Sequence, residues 1–277
     1  MVEPPAPSLH GNRATGEIRA RFVATGARTG VARLFQGGGL RVRCPRVAPG
    51  LVPDCEAVII NTAGGMMGGD RASIDIAVEA GAAVTLTTQS AEKLYRSTGS
   101  ATTIATRLSL GPGARLEWLP QETILFDRAR VERRLFVDVA SDASLLVAEC
   151  VVFGRLAMGE VMREGSFTDR WEIRRGGALV FAEAVALGPD VLAALDRPAL
   201  GGGARAVATL LLVAPDAEHR LAAVRDALGP FGTGGGASAW NGLLVARLAS
   251  PSPVALRAAI VAVLAALRGR STPRVWQ

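Results

Sequence analysis

Four stretches decide the fold. Ile74–Gln89 reads IDIAVEAGAAVTLTTQ and Thr106–Gln121 reads TRLSLGPGARLEWLPQ. Leu135–Cys150 reads LFVDVASDASLLVAEC and Trp171–Ala184 reads WEIRRGGALVFAEA. In each, apolar and polar residues alternate, which marks half-buried strands. Each divides into strand, tight turn and strand, with Gly81, Gly113, Asp142 and Gly177 at the turns. The turns recur at intervals of 32, 29 and 35 residues. A recurrence of this length predicts stacked strand units that bury their faces on one another. The spacing is too uneven for a regular solenoid. The expected fold class is mainly β, a stacked two-layer arrangement with β-helix-like strand order. An ordinary antiparallel sandwich gives similar hairpins and is the alternative.

Outward from this block, the pattern continues from Gly16 to about Leu187. The last third turns helical. Asp190–Leu195 predicts a short helix. Asp216–Leu228 (DAEHRLAAVRDAL) places Leu221, Val224 and Leu228 on one face and stops at Gly229. Pro253–Leu267 (PVALRAAIVAVLAAL) opens on Pro and closes at Gly269. Between them, Gly201–Gly203 and Gly234–Gly236 read as loops, and Leu210–Val213 and Leu243–Leu248 as strands. The expected organisation is a disordered lead-in over residues 1–15. A single β-rich domain over 16–277 follows, with a small helical lobe near 190–228 and 253–269.

Composition narrows the function. Hydrophobic residues make up 49% of the 277, enough to bury a sizeable core and to exclude a disordered chain. The net charge is +6, yet the arginines are dispersed, Lys93 is the only lysine and Tyr95 the only tyrosine. Nucleic-acid binding needs a basic cluster interleaved with aromatics, and here arginines adjoin only in pairs, Arg133–Arg134 and Arg174–Arg175. The longest apolar run, Ala258–Leu267, is half the length that spans a bilayer, and the N-terminus lacks the apolar stretch of a secretory signal. The expected location is the cytoplasm. Cys44, Cys55 and Cys150 form no CxxC pair, so neither a disulfide framework nor a cysteine metal site is expected.

The same inventory disfavours catalysis. The only histidines are His10, in the lead-in, and His219, on the polar face of a helix; neither supports a triad. NTAGGMMGGD at 61–70 has the glycines of a phosphate cradle but lacks the Lys and Ser/Thr of a P-loop, and a strand follows it. It reads as a turn and bulge system, with Met66 and Met67 as adaptable apolar residues. SAEKLYRS at 90–97 sets Lys93, Tyr95 and Arg96 close together, and one short turn would place both cations on one side. EWLPQETILFD at 117–127 holds Trp118 among acidic residues. Carboxylates at element ends include Asp70, Glu122, Asp127, Glu149, Glu160 and Glu183, which could serve a hard or borderline cation. A β-helix-like hydrolase acting on a sugar or polyanion through paired carboxylates is the competing functional class.

NTAGGMMGGDR, TTQSAEKLYRS, GARLEWLPQETILFD and FGRLAMGE, in this order over Asn61–Glu160, resemble the urease accessory protein UreD, called UreH in some organisms. Met66 and Met67 stand where that family more often carries other apolar residues. The resemblance implies a β-rich, non-catalytic scaffold with a helical lobe. It implies the partners UreF, the GTPase UreG and apo-urease, and transient passage of nickel to the urease active site with no permanently bound cofactor. The residues expected to line a nickel path or to order nearby loops are Asp70, Glu122 and Asp127, polar groups of the resembling block, and after them Glu149 and Glu160. Met66, Met67, Lys93, Tyr95, Arg96 and Trp118 are then candidates for partner contacts or for fixing turns.

Overall fold

Alternating side chains make strands with one face to bury, and in this chain those faces stack in parallel. The computed structural model describes residues 13–45, 55–231 and 234–277. The strands are β1 (Thr15–Thr25), β2 (Arg28–Gly38), β3 (Leu40–Arg43), β4 (Cys55–Asn61), β5 (Arg71–Val78), β6 (Ala83–Thr88), β7 (Glu92–Leu94) and β8 (Thr102–Leu110). β9 (Arg115–Leu119), β10 (Thr123–Leu125), β11 (Arg130–Val139), β12 (Ser144–Phe153), β13 (Ser166–Arg175) and β14 (Ala178–Leu187) follow. The last third comprises α1 (Val191–Asp196), β15 (Ala206–Val213), α2 (Leu221–Leu228), β16 (Gly234–Trp240), β17 (Leu243–Ser250) and α3 (Pro253–Arg268).

The register separates the two architectures that the repeat allowed. In an antiparallel sandwich of hairpins, each strand would pair with the one across its turn. Here β5 and β6 lie in different sheets. β5 pairs in parallel with β8, β8 with β11, and β11 with β13. In the second sheet β4, β6, β9 and β12 are likewise parallel neighbours. The chain therefore winds as a solenoid of rungs, as the β-helix-like reading expected. Antiparallel strands close the ends: β2 and β14 in one sheet, β3 and β15–β17–β16 in the other. A third, narrow face runs through a parallel bridge from Met66 to Leu94, then β7 to β10 and β10 to β12.

Equivalent residues of successive rungs form ladders in the core. Ala20, Ile76, Leu108, Val137 and Ile173 are register partners and all buried. On the narrow face, Met66, Leu94, Leu125 and Phe153 do the same. Each large apolar side chain so buried contributes roughly 1.5–3 kcal/mol. The outer face of the second sheet carries its own apolar set, including Leu146, Ala148, Cys150 and Val152, and α3 covers it with Leu256, Ile260, Val263 and Leu264. α3 starts where Ser252 accepts a hydrogen bond from the Ala255 amide with Pro253 in the first turn, and ends at Gly269 in the left-handed region.

The lead-in lies largely outside the described residues, as does His10. Its end is tied down: the Ala14 amide donates to Asp70 Oδ1, and Thr15 opens β1. Gly234–Gly236 are not a loop but the start of β16, an edge strand whose ladder needs only backbone. At Gly235 a Cβ would sit 2.6 Å from the Arg247 carbonyl oxygen. The first turn of the Asp216–Leu228 segment is a 3-10 helix over Ala217–Arg220, and the α-helix begins at Leu221. Among the described residues no helix is long and apolar enough to cross a membrane.

Candidate functional site

The narrow face gathers the unusual sequence blocks. Each block lies on a successive rung, so residues about thirty apart in sequence become neighbours. Tyr95 donates from its hydroxyl to the Gly64 carbonyl and meets the Phe126 ring edge-on, centroids 4.9 Å apart. The Arg155 guanidinium lies 4.5 Å over the other partner of this stack, Phe126, and pairs with Glu160. Glu160 Oε1 accepts from the Asp127 amide at 3.0 Å. Asp127 Oδ1 in turn accepts from the amides of Arg163 and Glu164 at 2.7 and 3.1 Å. The salt bridge with Arg155 holds the Glu160 carboxyl below its usual range.

The glycines of the 61–70 block permit this contact. A Cβ on Gly65 would lie 2.5 Å from the Tyr95 ring and 2.8 Å from the Lys93 carbonyl oxygen, and one on Gly68 would overlap the Ser97 side chain. Only residues without a side chain let the loop approach so closely. Asp70 closes the loop: Oδ2 accepts from the Met67 amide at 2.7 Å and Oδ1 from Ala14 at 2.9 Å. Met66 faces the core, whereas Met67 is 55% exposed. Lys93 is exposed on β7, a strand rather than the expected turn, and Arg96 follows exposed beyond its end. Glu122 sits elsewhere, under the helical lobe, where it meets Arg257 of α3 at 2.5 Å.

Inside the solenoid lies a second polar group that includes Glu149. Trp118, a candidate for partner contact or for fixing a turn, is buried, and its indole donates to Glu149 Oε1 at 2.8 Å. Arg133 donates to Glu149 Oε2 at 2.6 Å and to Asp169 Oδ2 at 2.5 Å. The Trp171 indole donates to the same Asp169 oxygen at 3.1 Å, and the Arg133 guanidinium lies 5.6 Å from the Phe167 ring centroid. Two buried atoms, Arg133 Nε and Asp169 Oδ1, have no hydrogen-bond partner. Burial pushes the Glu149 carboxyl above its usual range; Arg133 pulls it down and the Asp169 charge pushes it up. Burial also opposes the charge on Arg133, but Glu149 and Asp169 outweigh it and hold the guanidinium above its ordinary value.

Arg133 and Asp169 were not among the sequence candidates, yet the pattern carries a signal for both. In Val131–Val139 the inward phase is Val131, Arg133, Leu135, Val137 and Val139, and in Phe167–Ile173 it is Phe167, Asp169, Trp171 and Ile173. A charge on the apolar phase of a strand is buried and needs partners. Two buried carboxylates also bear on the hydrolase reading. Arg133 fills the space between them, and the Glu149 and Asp169 side chains are only 11% and 8% exposed. A sugar or polyanion cannot be seated there, so the arrangement does not favour that chemistry. Among the described residues, no three His, Cys, Asp or Glu side chains are grouped to hold a metal ion.

The blocks on the narrow face are those that carry the family likeness, and comparison with known proteins decides the matter. A family model described as the UreD urease accessory protein matches residues 14–277. The chain belongs to the UreD family. It is 49% identical to "Urease accessory protein UreD 2" of Methylorubrum populi, covering 100% of this chain and 95% of that one. It is 50% identical to the UreD of Xanthobacter autotrophicus, covering 95% and 90%. With the UreD of Rhodopseudomonas palustris strain HaA2 the identity is 49%, over 96% and 94%. As a UreD-family member the chain has a role in urease maturation and is an accessory protein, not an enzyme.

Proposed function

We propose that this chain is the scaffold on which nickel is passed to urease. In this reading it binds apo-urease together with UreF and the GTPase UreG in the cytoplasm, and nickel is cargo that it holds only in transit. The observation that carries the reading is the alignment of the family's signature blocks, Gly64, Tyr95, Phe126, Arg155 and Glu160, along one face of the solenoid. Signature residues spent on one contiguous surface suit recognition of partners better than stability of separate turns.

The carboxylates divide by what they already hold. Asp70 and Asp127 each accept two backbone amides, and Glu160 bridges Arg155 to the Asp127 amide. Their role in this reading is to order the loops at the edge of the path. Glu122 joins the helical lobe to the solenoid. Glu149 faces the interior, where Trp118 and Arg133 already hold its two oxygens, and in this reading it is the carboxylate an ion meets inside the solenoid. Met67, Lys93 and Arg96 project outward and are the residues for partner contact. Deleting and restoring the gene in a urease-positive host, with urease activity and nickel content both measured, tests the function. Normal nickel loading without the gene would overturn it. Failure to co-purify with UreF and apo-urease would overturn the scaffold reading.

A further inference from the structure

Arg133 occupies the position that a metal ion would take in a dicarboxylate site. It contacts one oxygen of Glu149 at 2.6 Å and one of Asp169 at 2.5 Å, and Thr123 Oγ1 lies 3.4 Å from the same guanidinium. Three oxygen donors from three rungs thus surround one cation, the donor type that hard and borderline divalent ions prefer. Asp169 Oδ1 is buried and has no partner, so the cluster retains an unused acceptor. The Trp118 and Trp171 indoles fix the carboxylates from outside, an arrangement that holds their oxygens in place whichever cation lies between them.

Charge decides which cation stays. With both carboxylates ionised, the guanidinium leaves the cluster at a net charge of −1, whereas a divalent ion in its place leaves it neutral. A divalent ion added beside Arg133 would instead bury an uncompensated positive charge, which a low-dielectric interior penalises heavily. We infer that Arg133 is a tethered cation that keeps the Glu149–Asp169 pair from becoming a resident divalent-metal site, so that an ion meets these carboxylates only while the guanidinium is displaced. The pair is thereby an acceptor that cannot act as a sink. This rests on the proposed transport role only in naming nickel as the ion. Arg133 is a positioning residue here, and it acts through the two carboxylates.

The test uses the full chain and nickel alone. R133M and R133Q remove the charge, R133K keeps it, and R133M/E149Q and R133M/D169N each remove one carboxylate. Equilibrium dialysis and thermal unfolding with and without nickel are the readouts. R133M or R133Q should gain one saturable nickel site per chain, at least about tenfold tighter than any site of the wild type, and should be stabilised by nickel. R133K should behave as the wild type, and both double variants should lose the gain. The inference is overturned if folded R133M and R133Q bind nickel no better than the wild type, or if the new site survives in both double variants. Failure of R133M and R133Q to fold even with nickel also overturns it, because a divalent ion should then supply what the guanidinium did. A wild-type chain that activates urease while R133M gains no site refutes this inference alone and leaves the maturation role standing.

Discussion

Gly65→Ala tests whether the signature glycines exist to let two rungs touch. Gly65 has φ +151°, and an added Cβ would lie 2.5 Å from Tyr95 Cε2 and 2.8 Å from the Lys93 carbonyl oxygen. Holding an L-residue in such a backbone region costs about 1–3 kcal/mol. Forcing a methyl into a packed contact costs about another 1–3 kcal/mol. The sum, about 2–6 kcal/mol, is a large share of the roughly 5–15 kcal/mol that a domain has. Gly81→Ala is the control. It has φ +68° with nothing within 4 Å of the added Cβ, so only the left-handed penalty of roughly 1–2 kcal/mol applies. Urea unfolding followed by circular dichroism gives both values. If Gly65→Ala costs no more than Gly81→Ala, the close approach to Tyr95 is not why glycine stands there. Because Tyr95 also meets Phe126, Gly65→Ala should lower urease activation in cells where Gly81→Ala leaves it intact.

Trp118→Phe should cost about 1–3 kcal/mol, since it leaves Glu149 without the indole donor in a buried site; an unfolding midpoint equal to the wild type's would show that the hydrogen bond is not needed. Leu264→Ala should cost about 2–5 kcal/mol by opening a cavity between α3 and the outer face of the second sheet, and hydrogen exchange should rise first in α2 and α3. Glu117 pairs with Arg268 and Arg270 at 2.9 and 3.1 Å. Burial pushes its carboxyl up, but Arg268, Thr85 and Arg270 outweigh burial and hold it below the ordinary value of 4.5. A carboxylate whose folded value is depressed stabilises the fold above its unfolded value, and that contribution is lost as pH falls through the folded one. Glu117→Gln should therefore be less stable than the wild type at neutral pH, with the gap closing below about pH 4. A gap that persists unchanged into acid would refute the assignment.

Much of the solenoid was legible because alternation and recurrence are local signals. The IDIAV, RLSL, LFVDV and WEI segments each show period two, and β5, β8, β11 and β13 form where they stand. α3 was legible through its ends, Pro253 at one and Gly269 at the other, whereas the Ser252 cap is seen only in the structure. The Gly234–Gly236 strand was not, because backbone pairing at an edge leaves no side-chain pattern. The candidate site was legible in pieces only. Trp118 and Lys93 are adjacent to similar polar neighbours in sequence, yet one is buried against Glu149 and the other exposed on β7.

The sequence by itself determined the rung, its repeat, the family likeness and the scarcity of catalytic groups, since composition, periodicity and motif order are properties of the chain alone. Only the tertiary structure decided which rungs meet. Parallel stacking brings Gly64, Tyr95, Phe126 and Arg155 into one line and sets Arg133 between Glu149 and Asp169. The physical reason is that register between strands some thirty residues apart is fixed by burying whole ladders of side chains at once, and no single segment contains that information.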